Sequence, residues 1–254
     1  MRRSLIPMLF LAALAALSPA SAAEIRVLTA GAFKPIVLAI TPEFEKQTGH
    51  KLIVDNDTAG ALQRRILGGE AFDVAVVTPA VIRELADKGK IVAGTPVNLA
   101  RTAVGVAVKD GAAQPDIKTV ESFKAALLAA ANVAYIDPAA GGSSGIYFSK
   151  LLETMGIADA VRAKAVLVPG GLVAQRLVTG EADLAIHQIS EILAVKGATL
   201  VGPLPREIQN YTTYAGGLGT GAAQAEAGKA LIVFLNGDVA RRVLAEKGME
   251  AAGN

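Results

Sequence analysis

From residue 24 onward the apolar positions switch repeatedly between two periods. Short β-rich runs at residues 25–29, 51–55 and 73–77 are each followed by a longer stretch with helical spacing, at 35–47, 61–67 and 78–88. Pro35 suits a first helical turn, where its missing N–H costs nothing. Residues 103–108 are strongly β, and a second round follows: helix 120–130, strand 133–136, helix 146–155, strand 165–168, a helix from Pro169-Gly-Gly171 to 179, and strand 183–187. Gly202-Pro-Leu-Pro205 reads as a linker, 209–215 resumes β character, and helices 222–235 and 239–247 end the pattern. Strand–helix alternation of this kind builds an α/β fold, with mostly parallel sheets flanked by helices. Two rounds predict two lobes crossed twice by the chain: residues 24–103 with 206–254, and residues 104–205.

Polar and small residues collect where the strands end. The segments at 29–34, 56–60, 137–145, 169–172 and 187–190 all leave the carboxyl ends of strands, the side on which open α/β sheets bind ligands. The longest such run is Tyr135-Ile-Asp-Pro-Ala-Ala-Gly-Gly-Ser-Ser-Gly-Ile-Tyr-Phe148. Its glycines permit a tight turn, and Ser143 and Ser144 stand beside the unpaired N–H groups of a helix start, a natural place for an anion. Thr58 opens another helix and can either cap it or donate to a ligand. Gly171 opens a third. His187-Gln188 ends the otherwise apolar run Leu184-Ala-Ile186; Gln188 can offer donors and an acceptor to a carboxylate, and His187 can donate or move a proton. Glu191 is the carboxylate nearest the expected cleft, and Lys34, just after the first loop, can reach into it as a point charge.

Met1-Arg-Arg, an apolar run from Leu5 to Leu17 and the small residues Ser21-Ala22-Ala23 form an export signal, with cleavage expected near Ala23 and a periplasmic destination. Removing Arg2 and Arg3 takes Lys+Arg from 25 to 23 against 23 Asp+Glu, so the net charge falls from +2 to about zero. A nucleic-acid partner then has no electrostatic basis. The absence of cysteine excludes disulfides and thiolate chemistry. With two histidines far apart in sequence, neither a metal site nor any cofactor is expected. The apolar run is too short for a comfortable membrane span, so no membrane insertion is expected once the signal is gone, and the mature chain is expected to be a monomer.

At Ala30-Gly-Ala32, Glu43-Phe-Glu-Lys-Gln-Thr-Gly49, Ala61-Leu-Gln-Arg-Arg-Ile66, Gly69-Glu-Ala-Phe-Asp-Val-Ala-Val76, Asp137-Pro138 with Gly145-Ile-Tyr147, and Gly180-Glu-Ala-Asp183, the chain resembles the periplasmic molybdate-binding proteins of ABC transporters. The likeness spans nearly the whole mature chain. It implies the two-lobed type II periplasmic binding protein fold, a small anionic ligand in the interlobe cleft and an ABC permease as partner. The family's oxyanion pocket places serines where this chain has Ala32, beside Gly31, and near Ala59, where Thr58 could replace one hydroxyl; its third loop falls at Ser144 and its fourth near Gly171, and a late tyrosine is replaced by Gln188. Those replacements favour an organic carboxylate over molybdate. Aconitate isomerase resembles the same class, which implies an alternative: allylic proton transfer with His187, Lys34 or Glu191 as the base.

Overall fold

The computed structural model describes residues 22–252. The expected signal peptide, residues 1–23, lies almost wholly outside the described residues. The first lobe opens with β1 (Glu24–Ala30), a 3-10 turn (Gly31–Phe33), α1 (Lys34–Thr48), β2 (Lys51–Asp57), α2 (Ala59–Leu67), β3 (Val74–Val77) and α3 (Pro79–Asp87). Pro35 sits in the first turn of α1, and Gly49, with φ 74°, closes that helix as only glycine does cheaply. Then comes β4 (Val97–Lys109), followed by α4 (Val120–Ala129), β5 (Val133–Ile136), α5 (Ser143–Thr154), α6 (Ala158–Arg162), β6 (Ala165–Val168), α7 (Gln175–Val178), β7 (Leu184–Gln188), α8 (Ile189–Ile192) and β8 (Ala198–Pro203). The chain returns through β9 (Tyr211–Leu218), α9 (Ala225–Leu235), α10 (Asp238–Glu246) and β10 (Glu250–Ala251).

The main strand order is β2-β1-β3-β9-β4-β7-β5-β6. The outer strands of each half are parallel, and antiparallel pairs enter at β9 and β4, where the chain crosses. β4 belongs to both halves: Val97–Ala103 pairs with β9, whereas Val104–Ala107 pairs with β7 and Gly105–Lys109 with β8. Helices cover both faces of each half. Phe33, Phe44 and Leu231 pack one face of the first lobe and Leu62, Ile66 and Leu85 the other. Phe123, Phe148 and Leu152 pack one face of the second lobe, with Leu177 and Ile192 opposite.

Three expectations change. The helix read from 171 to 179 shrinks to Gln175–Val178, because Gly171 adopts φ 83° and breaks the turn before it. The linker read at 202–205 starts inside an edge strand, β8, where Pro203 can end the ladder without losing a needed donor. The strand read at 103–108 is more than twice as long, 13 residues, because it serves two sheets in turn.

The lobes touch directly. The Gly60 N–H donates to the Gly141 carbonyl at 3.1 Å, the Thr58 hydroxyl to the Ala140 carbonyl at 2.5 Å, and the Ser190 hydroxyl to the Ala32 carbonyl at 2.8 Å. A Cβ on Gly60 would stand 2.9 Å from the Gly141 Cα, a backbone atom with no room to yield. Gly60→Ala is therefore expected to hold the lobes apart while leaving each of them folded, since alanine improves a helix by about 0.5–1 kcal/mol over glycine. Small-angle X-ray scattering should record a larger radius of gyration than for the wild type; an unchanged curve would contradict this contact.

Candidate functional site

All five strand-end segments meet at one small pocket, part of it open to solvent. From the first lobe come Gly31 and Ala32 after β1, and Thr58 and Ala59 at the start of α2. From the second come Ser143 and Ser144 at the start of α5, Gly171, and the group His187, Gln188 and Glu191 around the β7–α8 junction. The candidates read from the sequence thus line a shared cavity, with one departure. Lys34 turns away: its ammonium donates to the Asn56 side-chain oxygen at 2.6 Å and borders a neighbouring cavity instead.

Several of these residues have structural duties that narrow what they offer. The Thr58 hydroxyl accepts from the Ala61 N–H as the α2 cap and spends its proton on Ala140 across the cleft, so it is no free donor. The glycines of the 141–145 loop serve packing. A Cβ on Gly145 would lie 2.1 Å from the Ile136 carbonyl oxygen, and one on Gly142 2.6 Å from the Ile136 side chain. Asp137 accepts from the Ala139 N–H and shapes the turn before α5. Outside the pocket, Tyr147 donates to the Ile208 carbonyl, and Arg101 lies 4.7 Å over the Tyr211 ring.

The chemistry concentrates at β7 and α8. β4 places Gly105 opposite His187 and Val104 opposite Gln188, and α8 then folds back so that Glu191 returns to its own strand end. The Glu191 carboxyl reaches His187 Nε2 at 3.2 Å, with the two side chains 8% and 2% exposed. Its other oxygen lies 2.5 Å from where a Gly31 Cβ would be, so only glycine at 31 admits it. Burial pushes the Glu191 carboxyl well above its usual value and the His187 imidazole well below, which leaves a carboxylic acid beside a neutral ring near neutral pH. The acid then donates to Nε2, and the ring proton sits on Nδ1, an atom with no protein partner. Gln188 donates to the Thr212 hydroxyl at 2.8 Å, and its Oε1 is likewise unpartnered. His187 and Gln188, both in the pocket wall, thus each carry a buried polar atom without a protein partner.

Tyr214 on β9 completes the wall, and sequence reasoning did not single it out. It packs 6.3 Å from the Phe33 ring and reads in sequence as one more core aromatic. Burial, reinforced by Glu191, raises its phenol far above the usual value, and the nearby Ser143 hydroxyl opposes that shift. Among the described residues no cluster of three or more His, Cys, Asp or Glu could hold a metal, and no helix is long and apolar enough to cross a membrane.

The profile of the bacterial extracellular solute-binding proteins matches residues 25–250. The chain belongs to that family. Family membership implies export and a small ligand. This solute-binding protein is 32% identical over 248 residues to an aconitate isomerase of Pseudomonas sp, covering 95% of this chain and 93% of the relative. It is 28% identical over 179 residues to the molybdate-binding protein ModA of Azotobacter vinelandii, 68% of each chain. Among solved structures, the Azotobacter vinelandii periplasmic molybdate-binding protein superposes with a TM-score of 0.77 at 18% identity, over 90% of this chain and 100% of the other. That match places the fold among the two-lobed type II periplasmic binding proteins, ModA-like in architecture.

The buried pair sets a pH profile for this solute-binding protein. Folded, it holds one proton; unfolded, the two groups titrate near 4.5 and 6.5. Between those values both states hold one proton and stability is flat. Above pH 6.5 the unfolded pair is empty, so stability falls as pH rises through the raised carboxyl value, by up to about 1.4 kcal/mol per pH unit. In Glu191→Gln only the depressed imidazole remains, and stability is instead lost as pH falls below 6.5. Thermal unfolding of both proteins across pH should show these opposite slopes; parallel curves would contradict the buried pair.

Proposed function

We propose that the pocket captures a small organic polycarboxylate between the two lobes, for delivery to a permease. The observation that carries this reading is the Glu191–His187 pair beside the unpartnered Gln188 oxygen. A fully ionised tetrahedral oxyanion only accepts hydrogen bonds. With the Gln188 amide oriented to donate to Thr212, its oxygen would stay unsatisfied against such an ion, at about 1–3 kcal/mol. Alanine at 32 and 59 withholds two hydroxyls where the resemblance places serines. A carboxyl group that binds in its protonated form, as burial favours, fits better: its O–H can donate to Gln188 Oε1, and its carbonyl oxygen can accept from His187 Nδ1–H, Ser143 or the first-turn amides of α5.

A second reading, isomerisation of aconitate, is favoured by the same pair and by the relatedness to the Pseudomonas aconitate isomerase. A buried carboxyl held near neutrality is suited to take and return a proton at physiological pH. With the shared proton moved to His187, the Glu191 carboxylate removes a proton from the substrate methylene. The released electron pair forms the new C=C bond, and the former vinyl carbon takes a proton back from Glu191, so no co-reactant is consumed.

Thermal midpoints measured with trans-aconitate, propane-1,2,3-tricarboxylate, molybdate and sulfate test the first reading. The tricarboxylates should stabilise by about 2.7 kcal/mol at a hundred times the dissociation constant. A larger shift with molybdate than with any carboxylate would overturn it. Following cis-aconitate formation from trans-aconitate separates the two readings. Turnover that is lost in Glu191→Gln while binding persists supports the isomerase; binding without turnover leaves the receptor.

A further inference from the structure

We propose that the cavity outside the pocket is a second anion subsite, holding the distal carboxylates of a polycarboxylate whose first carboxyl sits inside. This inference rests on the carboxylate reading above and extends it to how the ligand is oriented. The two cavities share Gly31, Asn56, Gly171 and Glu191. Glu191, seated against Gly31, borders both. The inner pocket has no lysine or arginine in its wall, whereas Lys34, Lys196 and Lys247 line the outer cavity.

These lysines come from both sides of the cleft. Lys34 opens α1 and Lys247 follows α10, both in the first lobe, while Lys196 lies between α8 and β8 in the second. None forms a salt bridge among the described residues. The one acid in the cavity wall, Glu191, is held neutral by burial. Closing the lobes therefore gathers like charges across the cleft mouth, and a bridging anion turns that repulsion into attraction. Lys34 is held at the shared edge by its hydrogen bond to Asn56. A ligand with one carboxyl is satisfied by the inner pocket; only one with further carboxylates reaches the lysines.

Isothermal titration with propane-1,2,3-tricarboxylate, which has no double bond to shift, tests the subsite free of turnover. The triple variant Lys34→Met, Lys196→Met, Lys247→Met should bind it about tenfold more weakly or worse at low salt, with a flattened salt dependence. The triple Lys→Arg variant should retain wild-type affinity, and acetate binding should be unchanged in both. Equal affinity and salt slope in the methionine variant would overturn the subsite alone. So would an equal loss for acetate, which would mark a general field in place of a contact. Failure of the wild type to bind any carboxylate would overturn the subsite together with the reading it rests on.

Discussion

Two ionisable groups, Glu191 and His187, are shut away from water 3.2 Å apart, and the pocket is organised around that contact. Charging both without solvent would be costly, and burial instead drives each toward its neutral form. The arrangement depends on glycine. A Cβ on Gly105 would stand 2.7 Å from Ile189, so its absence lets α8 pack onto β4, and Gly31 leaves the space that the carboxyl fills. The register of β4 with β7 then sets His187 and Gln188 at the seam where one lobe passes into the other. The proton-bearing pair is thus part of the crossing, and lobe position and pocket chemistry are linked.

The charge pattern follows the same division. Inside, the wall offers neutral donors and acceptors at helix starts and strand ends. Outside, three lysines line the neighbouring cavity, whereas the interior has none. Direct bonds from Thr58, Gly60 and Ser190 across the cleft hold the lobes at the spacing the pocket needs. An oxyanion site would invert this economy, with many fixed donors and no buried acid.

Much of the frame was legible because periodicity reports it. Alternating short β runs and helical stretches located nearly all the long elements, and polar residues at the apolar strand ends marked the five segments that meet at the pocket. What escaped has physical reasons. The apolar runs of β4 and β8 do not reveal that one strand serves two sheets. Short helices such as α8 have too few residues to establish a period, yet α8 carries Glu191 home. Tyr214 looked like packing because it is packed, against Phe33, and nothing in its neighbours marks the face it turns to Ser143. The loop glycines read as the means of a tight turn, whereas close packing also requires them: Gly142 and Gly145 answer to Ile136 and Gly141 to Gly60. Lys34 was placed by sequence distance alone, and its hydrogen bond to Asn56 takes it to the outer cavity.

The neutral acid at Glu191 is the claim on which the rest turns. Infrared difference spectroscopy between the wild type and Glu191→Gln at neutral pH reads it directly. The account predicts a band from a protonated carboxylic acid in the wild type that the variant lacks. Only ionised-carboxylate bands in that difference would contradict it.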